Sequence, residues 1–179
     1  TTRTTFDEVA EMSRRFANVL KADGLARGDR VAVFLSQSLE LPIAHLAAFR
    51  SGMVSIPLFA LFGEDALEFR LSNSEAKAIV TDASGWEKLA KIRDRLPALK
   101  NVYVIGGNAP AGTRPFWSSL QAASPDFTTV DTSCDDPALI IYTSGTTGNP
   151  KGALHAHRVV LGHLPNVEMC HNFLPRPGD

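Results

Sequence analysis

Phe6, Val9, Ser13, Phe16, Ala17 and Leu20 recur at helical spacing, with one polar interruption. They predict an amphipathic first helix. Thr5-Phe6-Asp7-Glu8 fits a capping box ahead of it, with Thr5 as N-cap and Glu8 reaching back. Gly24 stands where a left-handed C-cap belongs, and Leu25 can make its hydrophobic contact. Val31-Ala32-Val33-Phe34-Leu35 is a continuous apolar run, the pattern of a strand buried on both faces. Ser38 can cap a second helix running to about Ser51, with Gly52 after it. Pro42 falls in its first turn, where a missing N–H costs little.

The alternation continues. Val54-Ser55-Ile56 reads as a short strand stopped by Pro57, Asp65 to Ser72 as a helix, and Lys77 to Thr81 as a strand. Ser84-Gly85-Trp86-Glu87 is a second capping box, opening a helix that ends before Pro97. Val102 to Ile105 is a strand, Gly106 to Arg114 a loop and Phe116 to Ala123 a short helix. Phe127 to Val130 and Leu139 to Tyr142 are strands. Strands alternating with helices predict an α/β fold: βαβ units in a mainly parallel sheet with helices on both faces. No internal repeat is evident. The polar segment Thr132-Ser133-Cys134-Asp135-Asp136-Pro137 is the weakest junction and separates residues 1–131 from 132–179. Trp86 and Trp117 read as core positions.

Composition narrows the classes. A chain of 179 residues, 44% hydrophobic and 21% charged, suits one or two packed domains. A net charge of −1 without a basic run argues against nucleic acid as the main partner. Cys134 and Cys170 make no disulfide framework, which favours a reducing compartment and a cytoplasmic location. No signal-peptide pattern precedes the first helix, and the apolar stretch Ile56 to Phe62 is far too short to span a bilayer.

The candidate chemistry lies in Tyr142-Thr143-Ser144-Gly145-Thr146-Thr147-Gly148-Asn149-Pro150-Lys151-Gly152, which follows the apolar run Leu139-Ile140-Ile141. Glycines let consecutive backbone N–H groups turn toward one anion. The hydroxyls of Thr143, Ser144, Thr146 and Thr147 add donors. Lys151 adds a mobile point charge. Such a run suits a polyphosphate. It is not a Walker A loop, because Asn149-Pro150 separates Gly148 from Lys151 and Gly152 follows the lysine. A Rossmann G-x-G-x-x-G is absent too. Turn-forming hydroxyls and an ordinary surface lysine are the plainer alternatives.

The same run resembles the phosphate loop of adenylate-forming enzymes: acyl-CoA synthetases, luciferases and peptide-synthetase adenylation domains. Their form is [ST]-[SG]-G-[ST]-[ST]-G-x-P-K-G. Upstream, Phe49-Arg50-Ser51-Gly52-Met53-Val54-Ser55-Ile56-Pro57-Leu58 resembles a second, structural motif of that superfamily, a tight helix-to-strand turn entering a parallel core strand. Gly63 to Leu71 takes the place of the family's next helix, and Ala78 to Asp82 that of its following strand. Pro57-Leu58-Phe59-Ala60-Leu61-Phe62-Gly63 looks most like acetyl- and medium-chain acyl-CoA synthetases, since peptide-synthetase domains show Asp where Phe59 stands.

The resemblance implies an AMP-forming acyl-CoA synthetase, a ligase of the kind that feeds fatty-acid metabolism. Residues 1–179 would be part of its large N-terminal AMP-binding domain, with 132–179 supplying the phosphate-loop strand, the loop and a following helix. ATP, Mg²⁺ carried by ATP, CoA and a small carboxylic acid are the implied ligands. Thr143, Ser144, Gly145, Thr146, Thr147, Gly148, Asn149, Pro150 and Lys151 are the implied phosphate-binding residues. The family's adenine, ribose and C-terminal lysine motifs have no match here, so no catalytic residue is assigned. The chain therefore reads as an N-terminal fragment, expected to be inactive alone and to self-associate through uncovered edges. Rival readings are an aryl- or long-chain acyl ligase, a peptide-synthetase adenylation domain, or a non-catalytic nucleotide-binding module.

Two further clusters draw attention. His155 and His157, with Cys170 and His171 nearby, suggest zinc, but no paired C-x₂-C or H-x₃-H spacing is present and no metal site is expected. Both histidines read as satisfied or solvent-facing side chains; by resemblance, they would shape the exit from strand to helix. Asp135-Asp136-Pro137 reads as a turn, because adjacent side chains of an extended chain point apart.

Overall fold

A computed structural model describes residues 3–107, 109–143 and 148–170. The first helix, α1 (Phe6–Ala22), begins with the expected capping box. Glu8 N–H donates to Thr5 Oγ1 at 3.2 Å, and Thr5 N–H donates to Glu8 Oε2 at 2.6 Å. It ends in a Schellman motif: Leu25 N–H reaches Leu20 O, Gly24 N–H reaches Lys21 O, and Gly24 has φ +84°. Leu25 closes the motif as a buried residue.

Strands β1 (Arg30–Phe34), β2 (Val54–Leu58), β3 (Ala78–Thr81), β4 (Asn101–Val104), β5 (Arg114–Pro115), β6 (Pro137–Thr143) and β7 (Lys151–Ala156) form one sheet in the order β5-β4-β3-β1-β2-β6-β7. Every neighbouring pair is parallel except β6–β7. Alternation along the strands feeds two cores. Val31, Val33, Val80 and Tyr103 face α1, α2 (Glu40–Arg50) and α5 (Phe116–Ala122). Ala32, Phe34, Ile56, Ile79 and Val102 face α3 (Glu64–Asn73) and α4 (Ala83–Ile92). The continuous apolar run at β1 thus reflects burial on both sides, as its sequence predicts.

The turn from α2 into β2 is as tight as its motif predicts. Gly52 has φ +63°, and a Cβ there would lie 3.2–3.4 Å from Arg27, Val130 and Thr132. Two features therefore demand glycine: the left-handed backbone and the close approach.

Four local expectations fail. Ser38 does not cap α2; Leu39 precedes the helix in an αR conformation, and Ser38 Oγ is buried with no partner among the described residues. The second capping box is replaced by Asp82, whose carboxylate accepts from Gly85 N–H at 2.7 Å and from Ser84 Oγ at 2.8 Å. A carboxylate at a helix N-terminus also meets the helix dipole, which a serine does not. Pro57 does not stop β2; the strand continues through it in register with Val33. Fixed φ suits an extended strand and forfeits only one ladder bond.

The fourth failure is the strand at Phe127 to Val130, where none forms. Side chains of α1 instead hold the carbonyls of the segment that leads into it. Arg14 Nε donates to Pro125 O at 3.1 Å, and Asn18 Nδ2 to Ser124 O and Asp126 O at 2.9 Å. With those carbonyls satisfied by side chains, the chain enters the stretch along α1 rather than along a strand partner. Phe127 still packs against the first core, and Val130 N–H reaches Arg50 O at 2.8 Å. Trp86 and Trp117 are half-buried against the two cores rather than enclosed, and Trp117 Nε1 donates to Glu40 Oε1 at 2.8 Å.

The last described helix, α6 (Arg158–Cys170), leaves Val160, Leu161, Leu164, Val167 and Met169 exposed, and Leu154 of β7 is 61% exposed beside it. No helix among the described residues is long and apolar enough to cross a membrane.

Candidate functional site

In parallel sheets, ligands gather at the carboxyl ends of the strands. Strand β6 ends at Thr143, and its neighbour β2 ends at Leu58. The glycine-rich segment leaves β6 at that end and returns directly as β7, antiparallel to it. It is therefore the connection of a hairpin whose strands close in register, with Thr143 opposite Lys151, Tyr142 opposite Gly152 and Ile141 opposite Ala153. Thr143, Gly148, Asn149 and Lys151 are exposed, and Pro150 is half-buried. Gly148 has φ +96°, a left-handed conformation that side chains disfavour. Ser144, Gly145, Thr146 and Thr147 lie outside the described residues.

The antiparallel return was not legible in the sequence. It matters because register pairing sets the first and last residues of the segment side by side. A threonine and a lysine, both exposed, thus face each other at the two ends of the segment, residue types that can meet an anion.

Gly152 shows why the lysine is followed by glycine. A Cβ there would lie 3.0 Å from Ile140 Cγ2 and 3.2 Å from Tyr142 Cε1 and Cζ. The ring of Tyr142 is the floor on which β7 starts. Its hydroxyl donates to Asn73 Oδ1 at 2.7 Å, with Arg70 O at 3.2 Å. Burial pushes the phenol above its ordinary value, while the nearby Arg70 charge works in the opposite direction. Neither Tyr142 nor Arg70 was singled out in the sequence as a site residue. The signal that could have found Arg70 is its place in α3, on the side that carries Leu67 and Leu71 into the core.

The two histidines separate in role. His155 lies within β7 opposite Leu139. His157 occupies the turn from β7 into α6, where its N–H donates to Asp136 O at 3.1 Å. Its ring meets Phe49 edge-on at 6.2 Å, and Phe49 stacks on His45 at 6.5 Å. Asp135 and Asp136 build the turn before β6. Asp136 accepts from Ser133 N–H at 2.8 Å and pairs with Arg27, while Asp135 pairs with Arg158. Cys134 and Cys170 are free and exposed. Among the described residues no group of three or more His, Cys, Asp or Glu could hold a metal ion.

Comparison with known proteins identifies what the chain resembles. The acetyl-coenzyme A synthetase of Bacillus subtilis (strain 168) is 41% identical over 161 residues, covering 88% of this chain and 28% of that protein. The chain thus spans just over a quarter of that relative's length. A Brucella canis acyl-CoA synthetase structure superposes with a TM-score of 0.85 at 32% identity, covering 93% of this chain and 30% of that one. ATP-bound MatB from Rhodopseudomonas palustris superposes with a TM-score of 0.81 at 33% identity, covering 94% and 32%. The family model described as AMP-binding enzyme matches residues 1–179, and the chain belongs to that family.

Proposed function

We propose that this chain carries the ATP-phosphate-binding segment, Thr143 to Lys151, of an AMP-forming acid–CoA ligase. The observation that carries the reading is the hairpin closure that sets Lys151 opposite Thr143 at the carboxyl end of β6. Similarity to an acetyl-coenzyme A synthetase and to an ATP-bound structure supports it. Residues 1–179 then belong to the large N-terminal AMP-binding domain.

The chemistry suits the residues. A carboxylate oxygen bonds to the α-phosphorus of ATP, and the bond from that phosphorus to the β-bridging oxygen breaks. The electron pair leaves with pyrophosphate, where the Lys151 ammonium and the loop's donors stabilise the growing negative charge. In the second step the CoA sulfur bonds to the acyl carbon, the thiol proton is released, and AMP departs with the former carboxylate oxygen. Mg²⁺ belongs to the nucleotide in this reading, held by its phosphates. The acid is a small aliphatic one of the acetyl to medium-chain class, in keeping with Phe59 where peptide-synthetase domains place Asp.

Titration calorimetry with ATP tests the site. Lys151→Ala is expected to weaken binding about tenfold, the worth of one charge-assisted hydrogen bond. Equal affinity of the variant and the parent chain would remove Lys151 from the site. Tight ATP binding by the parent chain alone, abolished in the variant, favours the alternative of a self-sufficient binding module.

Self-association belongs to the same reading. β7 is an edge strand with Leu154 outward, and α6 exposes five large apolar side chains in 13 residues. Such a surface favours association. Light scattering of the 179-residue chain is expected to show a mass that rises with concentration; a constant monomer mass counts against it.

A further inference from the structure

Asp29 and Arg70 are the only buried charged side chains among the described residues. Asp29 is paired, its Oδ1 2.7 Å from Lys77 Nζ. Arg70 pairs with no carboxylate among the described residues. Its guanidinium makes one hydrogen bond, from Nη1 to Ala66 O at 2.8 Å, and Nε is buried with no acceptor. Two rings take the place of a counter-ion. The guanidinium carbon lies 4.0 Å from the Phe62 centroid and 5.6 Å from that of Tyr142. Ring faces offset only part of a buried cation's desolvation.

The surroundings give this arrangement a use. Tyr142 immediately precedes the phosphate segment, and Gly152 rests on its ring. Lys151 is the next residue. A continuous line of contact thus runs from the guanidinium through the phenol ring and Gly152 to the segment's cation. On its other side Arg70 grips Phe62, in the loop that follows β2. Lys88 Nζ holds the same loop, donating to Ala60 O at 3.2 Å and Phe62 O at 3.0 Å. One arginine therefore joins the loop after β2 to the carboxyl end of the adjacent strand β6.

We propose that Arg70 is a positioning residue for the phosphate segment: it seats the Tyr142 ring and so sets Lys151, and its unpaired charge favours a polyphosphate above it. This rests on reading Thr143 to Lys151 as the phosphate segment. A purely structural arginine makes the opposite forecast. Replacing an unpaired buried charge by an apolar side chain of similar length relieves desolvation, so stability holds or rises while anion binding falls.

The test is a titration of the 179-residue chain with inorganic tripolyphosphate, followed by the NMR amide signals of Gly148, Asn149, Lys151 and Gly152, with a thermal melt of each variant. Arg70→Met is expected to shift the Lys151 and Gly152 signals of the free protein, weaken tripolyphosphate about fivefold, and leave Tm unchanged or higher. Arg70→Lys, which keeps the charge, is expected to recover part of that affinity. Phe62→Leu unseats the guanidinium without removing a charge and is expected to weaken binding as well; it serves if Arg70→Met does not fold. Unchanged affinity in Arg70→Met or Phe62→Leu, with Lys151→Ala weakened, overturns the role of Arg70 and leaves the phosphate segment standing. Unchanged affinity in all three, or no binding by the parent chain, overturns both.

Discussion

Acidification from about pH 7.5 to about pH 4 is expected to remove about 3 kcal/mol of folding stability through His45 alone. His45 projects from α2 onto β2, where its Nδ1 lies 2.6 Å from Oγ of the fully buried Ser55. Phe49 stacks against its other side. Burial disfavours the charged ring and lowers its pKa from 6.5 to about 4. The sign follows from which state binds the proton. Above about pH 6.5 the ring is neutral both folded and unfolded, and its contribution is fully present. Between there and about pH 4 the unfolded chain takes up a proton that the folded chain refuses, and stability falls with pH. Below about pH 4 both states are protonated and the loss stops. Carboxylates titrate in the same window, so the measurement is a difference. Urea unfolding of the parent and of His45→Asn, whose amide reaches the place of Nδ1, should give a pH dependence about 3 kcal/mol shallower in the variant. Identical pH dependence in the two proteins would sink the assignment.

Gly85→Ala is expected to lower the unfolding free energy by about 2 kcal/mol, with a Tm about 6 °C lower. Two effects oppose each other. Alanine is the better helix former by about 1 kcal/mol. Against that, its Cβ would lie 2.0 Å from Thr81 Oγ1 and 2.8–2.9 Å from the Phe34 ring. Thr81 is fully buried and Phe34 is 2% exposed, each at the end of a central strand, so neither has space to retreat. Overpacking of this kind costs about 3 kcal/mol and wins. A midpoint equal to or above the parent's in denaturant unfolding would show that α4 can lift off the sheet at no cost.

Gly85 also marks the boundary between what was legible in the chain and what was not. As a sequence feature it was an interior residue of a misplaced capping box. In the fold it lies against Thr81 of β3 and the Phe34 ring, in a helix that Asp82 caps. The same contrast holds at Gly152, whose neighbour Tyr142 is ten residues away in sequence and becomes its register partner only through the hairpin.

What the chain determined by itself rests on neighbours a few residues apart. The Thr5–Glu8 capping box, the Gly24 terminus, the two-sided run of β1 and the turn at Gly52 all formed as read, because each is a matter of local dihedrals, spacing and short hydrogen bonds. The composition of the Thr143 to Lys151 segment is likewise local. What tertiary structure decided is which groups meet across the sheet. The carbonyls of 123–126 go to side chains of α1 and no strand forms at 127–130, β7 returns beside β6, and Arg70 finds two rings instead of a carboxylate. Those outcomes turn on competition among partners far apart in the chain, settled by which backbone and charged groups would otherwise be buried unsatisfied.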